Sequence, residues 1–284
     1  MDRGLVYILS FFSFWLGACI ASFLNVVIWR VPRGESIVTP PSHCPKCGSS
    51  IRWWQNIPIL SWLALRGKCA NCRAPISPRY ILVEMLGGVL FLAAFLLVVL
   101  RGAGWFSVLD CGVAGDAAAV LVLWIWISLM IAGSFIDFDH QLLPDFTTVG
   151  GMALGVVVNG VSSMLNRSAS GILWSLAGLV FGFGLLWLVR WVGSKAFRRE
   201  AMGMGDVFLM GAVGALFGPV AVLVTLILSS VFGSIVGVGM ILLSKTKLGK
   251  FVAIPYGPYI CLGCLAWMFW GPRLVHWYLS LFRV

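Results

Sequence analysis

Eight apolar stretches dominate the chain, at 6–28, 81–100, 117–136, 147–164, 171–192, 207–217, 220–243 and 255–270. A helix needs about 20 apolar residues to cross the hydrocarbon core of a bilayer, where only structures that satisfy their own backbone hydrogen bonds are stable. Most of the stretches reach or approach that length. The short one, 207–217, is followed by Gly218-Pro219, which would turn it into the next. Hydrophobic residues make up 60% of the 284 and charged residues 11%, with a mean hydropathy of +0.99. Soluble domains carry roughly 45–50% apolar and about 25% charged residues. The expected fold is therefore an all-α polytopic membrane protein with about eight transmembrane helices and no other long soluble domain. The first stretch is too long for a typical signal-peptide core and runs on through Phe23-Leu24, so it reads as an uncleaved anchor.

Loop charges orient the chain, because Lys and Arg concentrate on the cytosolic side. With the N-terminus outside, the 29–79 loop brings eight basic residues inside, 190–206 brings four and 244–251 brings three, against five outside. This asymmetry also accounts for the net charge of +10. Topology and anionic lipid suffice as its cause, and no nucleic-acid partner is called for.

Three parts follow: a first transmembrane helix at 1–28, a polar cytosolic insert at 29–79, and a membrane core at 80–284. No internal repeat is evident. Prolines at 32, 40, 41, 45, 58, 75 and 78 argue against long helices in the insert. Within it, Cys44-x2-Cys47 and Cys69-x2-Cys72 stand 21 residues apart. Two such turns grip one tetrahedral ion, and an insert too small for its own core gains most from such a staple. The expected occupant is structural zinc, with redox thiols as the alternative; disulfides are rare in the cytosol. His43 is a substitute ligand. Cys261 and Cys264 share the spacing but lie in an apolar stretch without a partner pair, which points to packing. Cys19 and Cys111 are single.

The ten acidic residues are few enough to weigh singly. Asp137 ends the third stretch and Asp206 opens the sixth, so two intervening spans return them to one face, cytosolic by the charge count. Paired carboxylates can activate water while hydrogen-bonding a scissile carbonyl, and they share a proton because both cannot ionise cheaply. Gly203 and Gly205 would let a substrate backbone come close. Other readings stand beside this one. Asp206 would serve equally as a helix N-cap, Asp145 after Pro144 is a cap candidate for the fourth span, and Asp139 with His140 fits a solvated loop. Intramembrane acids also serve transporters and channels.

At this point the sequence resembles the prepilin peptidase family, through an ordered series. It comprises Ser22-Phe23-Leu24-Asn25-Val26-Val27, the two Cys pairs, Asn56-Ile57-Pro58, Arg79-Tyr80 with Glu84, and Ile136-Asp137 through Leu143-Pro144-Asp145. Gly203-Met204-Gly205-Asp206 and Pro255-Tyr256-Gly257-Pro258-Tyr259 complete it. The Gly-x-Gly-Asp element alone recurs in other intramembrane aspartic proteases. The resemblance implies that Asp137 and Asp206 are the catalytic pair. It implies cleavage of type IV prepilins or type II secretion pseudopilins after the glycine ending a basic leader, at the cytosolic face of the bacterial inner membrane. Members with the tetracysteine insert also methylate the new N-terminus, usually phenylalanine, with S-adenosylmethionine. Gly67 matches a glycine associated with methyl transfer, Glu84 is a second candidate there, and Arg66 stands where the family usually has another glycine. Asp137, Asp139, Asp145, Glu200 and Asp206 would together attract the basic leader. The competing functions are a peptidase without methyl transfer, a cation transporter, and a zinc-stapled scaffold of a secretion machine.

Overall fold

The computed structural model describes residues 3–101, 113–200, 202–243 and 255–282; Cys111 and the basic 244–251 loop lie outside them. The described residues are helical apart from turns and short bridges. The helices are α1 (Arg3–Arg30), α2 (Leu60–Ala64), α3 (Arg79–Arg101), α4 (Val113–His140), α5 (Asp145–Leu165), α6 (Ser170–Phe197), α7 (Met204–Phe217), α8 (Pro219–Leu243) and α9 (Gly257–Ser280). Each apolar stretch falls on one of the eight longer helices. Six of these are long and apolar enough to cross a bilayer: α1, α3, α4, α5, α6 and α8. Helix α7 has only 14 residues, about 21 Å at 1.5 Å per residue. Helix α9 has the length, with 24 residues, but mixes Pro272, Arg273 and several aromatics into its apolar run. Large apolar side chains such as Val157, Leu173, Val180, Ile227 and Ile235 stay exposed, as lipid-facing positions require. The chain is a multi-pass membrane protein.

Two compact units divide it. The first takes in Met1–Leu100 and Leu123–Ala132, the second Arg101–Val122 and Gly133–Val284. In the first unit small residues let helices approach: a methyl at Gly17 of α1 would lie 2.5 Å from the Gly87 carbonyl of α3. Trp124 stacks on Phe91 at 5.2 Å between ring centroids and donates its indole N–H to the Phe91 carbonyl at 3.0 Å. Buried Arg30 ties the start of the insert to α1, donating to the carbonyls of Ser36 at 2.9 Å and Pro40 at 2.7 Å. Exposed tryptophans line this region, with Arg33 over Trp29 and Arg52 over Trp54. Such amphipathic aromatics favour the headgroup zone.

In the second unit α7 packs chiefly against α6 and α5, and nearly all of it is buried. Glycines make this possible. Gly178 of α6 and Gly214 of α7 meet backbone to backbone, and a methyl at Gly155 of α5 would lie 2.6 Å from the backbone of Ala215 and Leu216. The last carbonyls of a helix have no partner within it, and lipid offers none. Here Asn159 of α5 donates to the Ala215 carbonyl at 3.1 Å, and Ser175 of α6 donates to the same carbonyl at 2.7 Å. Helix α7 therefore ends inside protein, and Gly218, at φ +83°, leads into α8.

Because the Gly178–Gly214 contact leaves no room for a Cβ, Gly178→Val forces α6 and α7 apart. We expect a loss of about 2–3 kcal/mol or more, as for other overpacked sites, read as a lower unfolding temperature in detergent. Val180, exposed on the same helix, tolerates change to Leu without a shift.

Candidate active site and metal centre

Asp137 in the last turn of α4 and Asp206 in the first turn of α7 are both buried, with 6% and 8% of their surface exposed. They lie close enough for the charge on Asp137 to act on Asp206. Asp137 Oδ2 accepts the backbone N–H of Gly257, the first residue of α9, at 3.0 Å. A methyl at Gly257 would lie 2.7 Å from that oxygen. The Gly203 amide donates to the Asp206 carboxyl. Asp206 Oδ1, by contrast, is buried with no hydrogen-bond partner among the described residues. A buried carboxyl oxygen without a partner is costly, so such groups mark sites of proton exchange or ligand contact more often than structural supports.

Gly203, not Asp206, occupies the N-cap of α7; Asp206 sits three residues in, and its carboxyl reaches back to the Gly203 amide as in a capping box. Pro144, not Asp145, is the N-cap of α5, and Thr147 closes that turn by donating to the Pro144 carbonyl at 2.7 Å. Asp145 occupies the first turn, where its charge suits the helix dipole. Asp139, His140 and Asp145 are exposed. Glu200 pairs with Arg190 at 3.4 Å, which offsets its share of the acidic cluster. Arg190 also donates to the Met202 carbonyl at 3.0 Å and so braces the loop leading to Gly203. Gly205 has Leu143 in the place a methyl would take, at 2.8 Å, while a methyl at Gly203 would meet only Asp206 Oδ2, at 3.5 Å.

The four cysteines Cys44, Cys47, Cys69 and Cys72 converge, with all four sulfurs within 4.8 Å of one another and Cys44 and Cys72 at 3.9 Å. Sulfurs sharing a tetrahedral ion at about 2.3 Å stand about 3.8 Å apart, so the donor set fits such an ion. The two turns repeat one design. Cys44 N–H donates to Ser49 O and Cys69 N–H to Ala74 O; Gly48 and Arg73 follow the second cysteines at φ +67° and +59°. His43–Ser50 and Lys68–Pro75 form matching bridges. This local repeat escapes the sequence because the turns share almost nothing but their cysteines. The Ser49 hydroxyl beside Cys47 pulls that thiol down to about 6, so it gives up its proton readily. Backbone amides of Cys72 and Asn71 lower Cys69 as well. His43 turns to the Pro41 carbonyl, away from the sulfurs. Cys261 and Cys264 are buried in α9, and Cys19 is exposed.

Gly67 and Glu84 both have partners within the first unit. Gly67 has φ +65° and the Trp62 ring 2.8 Å from where a methyl would stand. Arg66 precedes it at φ +52°, a left-handed conformation in which glycine is least costly. That is the physical sense of a second glycine here. Glu84 is buried, and its Oε2 accepts the Ile59 N–H at 2.7 Å. Ile59 has φ +63°, an outlier for a β-branched residue, so the carboxylate holds a strained backbone at the start of α2. The Gly257 amide on Asp137 is the contact that sequence reasoning missed; its only trace was the unexplained Pro-Tyr-Gly-Pro-Tyr element.

Residues 15–98 match the family model described as the bacterial peptidase A24 N-terminal domain, and residues 124–238 match that of the type IV leader peptidase family. A prepilin leader peptidase/N-methyltransferase of Myxococcus xanthus (strain DK1622) is 43% identical, over 81% of this chain and 63% of its own length. One of the same name from Aeromonas hydrophila is 34% identical over 99% of this chain and 98% of its own. A type 4 prepilin-like proteins leader peptide-processing enzyme of Escherichia coli O78:H11 is 38% identical over 88% and 90%. No solved structure matches the chain.

The cysteine geometry generates a direct test. Elemental analysis of the purified protein is expected to find one metal ion per chain. Replacing Cys44 and Cys69 together by Ser removes the ion and opens residues 29–79 to limited proteolysis. Retention of the ion in the double variant assigns it elsewhere.

Proposed function

The chain belongs to the type IV leader peptidase family, and on that premise we propose that Asp137 and Asp206 hydrolyse the leader peptide bond of type IV prepilins or type II secretion pseudopilins. The reaction takes place at the cytosolic face of the bacterial inner membrane, where the basic loops of the sequence lie. The observation that carries this reading is the buried pair itself: two carboxyls from α4 and α7, within electrostatic reach, one with an oxygen that has no partner among the described residues.

The pair acts on water. One carboxylate takes a proton from the water as its oxygen attacks the scissile carbonyl, while the protonated partner hydrogen-bonds the carbonyl oxygen. Collapse of the tetrahedral species breaks the C–N bond, the nitrogen takes a proton from the pair, and the products are the leader's new carboxylate and the mature chain's free amine. Burial removes competing water and strengthens these interactions. The Gly257 amide fixes the rotamer of Asp137, so one carboxyl is held while the reaction proceeds.

The metal held by the four cysteines is zinc, which suits thiolates in a closed tetrahedral shell and folds small inserts. The same chain N-methylates the new terminal residue, with S-adenosylmethionine supplying the methyl group. Support for this second activity comes from the names of the relatives and from the tetracysteine insert. Gly67 packs against Trp62 and Glu84 holds the Ile59 amide, so both shape the insert on which methyl transfer depends.

Asp137→Asn and Asp206→Asn each lower cleavage of a prepilin about 10²-fold or more while the protein still accumulates in the membrane. Near wild-type processing by either variant refutes the pair; Asp139→Asn has a smaller effect. Gly67→Val, which strains a left-handed turn and strikes Trp62, leaves cleavage largely intact but yields a mature pilin without its N-methyl group. Mass spectrometry of the product reads that difference, and methylation at the normal level removes Gly67 from consideration.

A further inference from the structure

Three glycines from three helices pack against one side chain. A methyl at Gly205 of α7 would lie 2.8 Å from Leu143 Cβ, and all three of its nearest contacts are Leu143 atoms. A methyl at Gly257 of α9 would lie 3.3 Å from Leu143 Cδ1, and one at Gly133 of α4 3.5 Å from Leu143 Cδ2. These glycines are not scattered. Gly205 immediately precedes Asp206, Gly257 donates its amide to Asp137 Oδ2 at 3.0 Å, and Gly133 stands one turn before Asp137. Leu143 thus packs against the residue before Asp206 and against the one whose amide holds Asp137.

Its own backbone is anchored independently of them. Gln141, at φ +53°, turns the chain out of α4. Pro144 restricts the residue before it to extended conformations. Pro144 is itself buried, and its carbonyl accepts both the Thr147 hydroxyl at 2.7 Å and the Thr147 amide at 2.9 Å. The leucine is therefore a fixed peg, and the glycines remove the Cβ atoms that would push α7 and α9 away from it. The peg stands between the helix that carries Asp206 and the amide that holds Asp137.

We propose that Leu143 is a positioning residue of the aspartate pair, a spacer whose side chain sets the approach of Asp206 to Asp137. This rests on the reading of those two aspartates as catalytic. Reacting groups tolerate little displacement: a shift of about 1 Å costs about 10²-fold in rate. Truncating the spacer therefore acts on turnover, whereas the substrate's own binding contacts are left in place.

The test uses the full-length enzyme in detergent with a type IV prepilin as probe, comparing Leu143→Ala, Leu143→Met, Leu186→Ala and Asp206→Asn. Leu186 of α6 is fully buried, so its truncation reports what loss of any core leucine does. Leu143→Ala is expected to lose about 10- to 100-fold in kcat with KM within about threefold of wild type. Leu143→Met, which keeps the volume, recovers most of the turnover, and Leu186→Ala keeps it. Wild-type kcat in Leu143→Ala overturns the proposal, as does an equal kcat loss in Leu186→Ala, or a raised KM at unchanged kcat. If Leu143→Ala does not accumulate, Leu143→Ile carries the same test, since it keeps the volume and moves the branch: lost turnover at constant KM supports the spacer, and wild-type turnover overturns it. An inactive Asp206→Asn beside an unimpaired Leu143→Ala refutes the spacer alone, and an active Asp206→Asn refutes the pair beneath it.

Discussion

The second unit depends on one demand of lipid, that every backbone group find a partner within the protein. Helix α7 is too short to end at an interface on its far side, so its terminal carbonyls must be met by neighbours. Asn159 and Ser175 meet the Ala215 carbonyl from two helices. Their reach is short, which requires the helices to lie close, and the glycines at 155, 178 and 214 supply that closeness. The polar contacts and the small residues are thus one device. Polar side chains in such positions contribute modestly one at a time, so the arrangement relies on packing and hydrogen bonding together.

The opposite end of the same helix carries Asp206. Its placement in the first turn lets the carboxyl reach the Gly203 amide while Oδ1 finds no partner among the described residues. Asp137 closes α4 and is met by the start of α9. A carboxyl held by a backbone amide keeps its rotamer. In the first unit a comparable role falls to Glu84, whose carboxylate holds the strained backbone of Ile59 and so sets the beginning of α2.

Much of this was legible in the sequence. Apolar runs located the eight longer helices among the described residues, six of them long and apolar enough to cross a bilayer, because crossing is a demand on composition rather than on contacts. The Cys-x2-Cys pairs announced their cluster, since two thiols at that spacing favour one ion. That Asp137 and Asp206 come near one another followed from a count of intervening spans; a catalytic role for them came only from the resemblance. What stayed hidden is nonlocal. The N-caps for which Asp145 and Asp206 were candidates are Pro144 and Gly203, because helix starts are decided by backbone conformation one to three residues away. The contact of Leu143 with three glycines joins residues from 133 to 257, which no local pattern links. The twin cysteine turns coincide in hydrogen bonding and in φ, properties that letters as different as Gly48 and Arg73 do not display.

The enclosure of α7 has one more consequence. Bilayers differ in thickness, and helices that face lipid answer a mismatch by tilting or by drawing the bilayer to themselves. Helix α7 shows lipid almost no surface; of its residues only Met204, Gly205 and Phe208 escape burial. It has no hydrophobic length of its own to match. The depth of Asp206 is inherited from α5 and α6, which average over spans of 21 and 28 residues. A carboxyl mounted this way keeps its register against its protein neighbours while the membrane around it swells or thins.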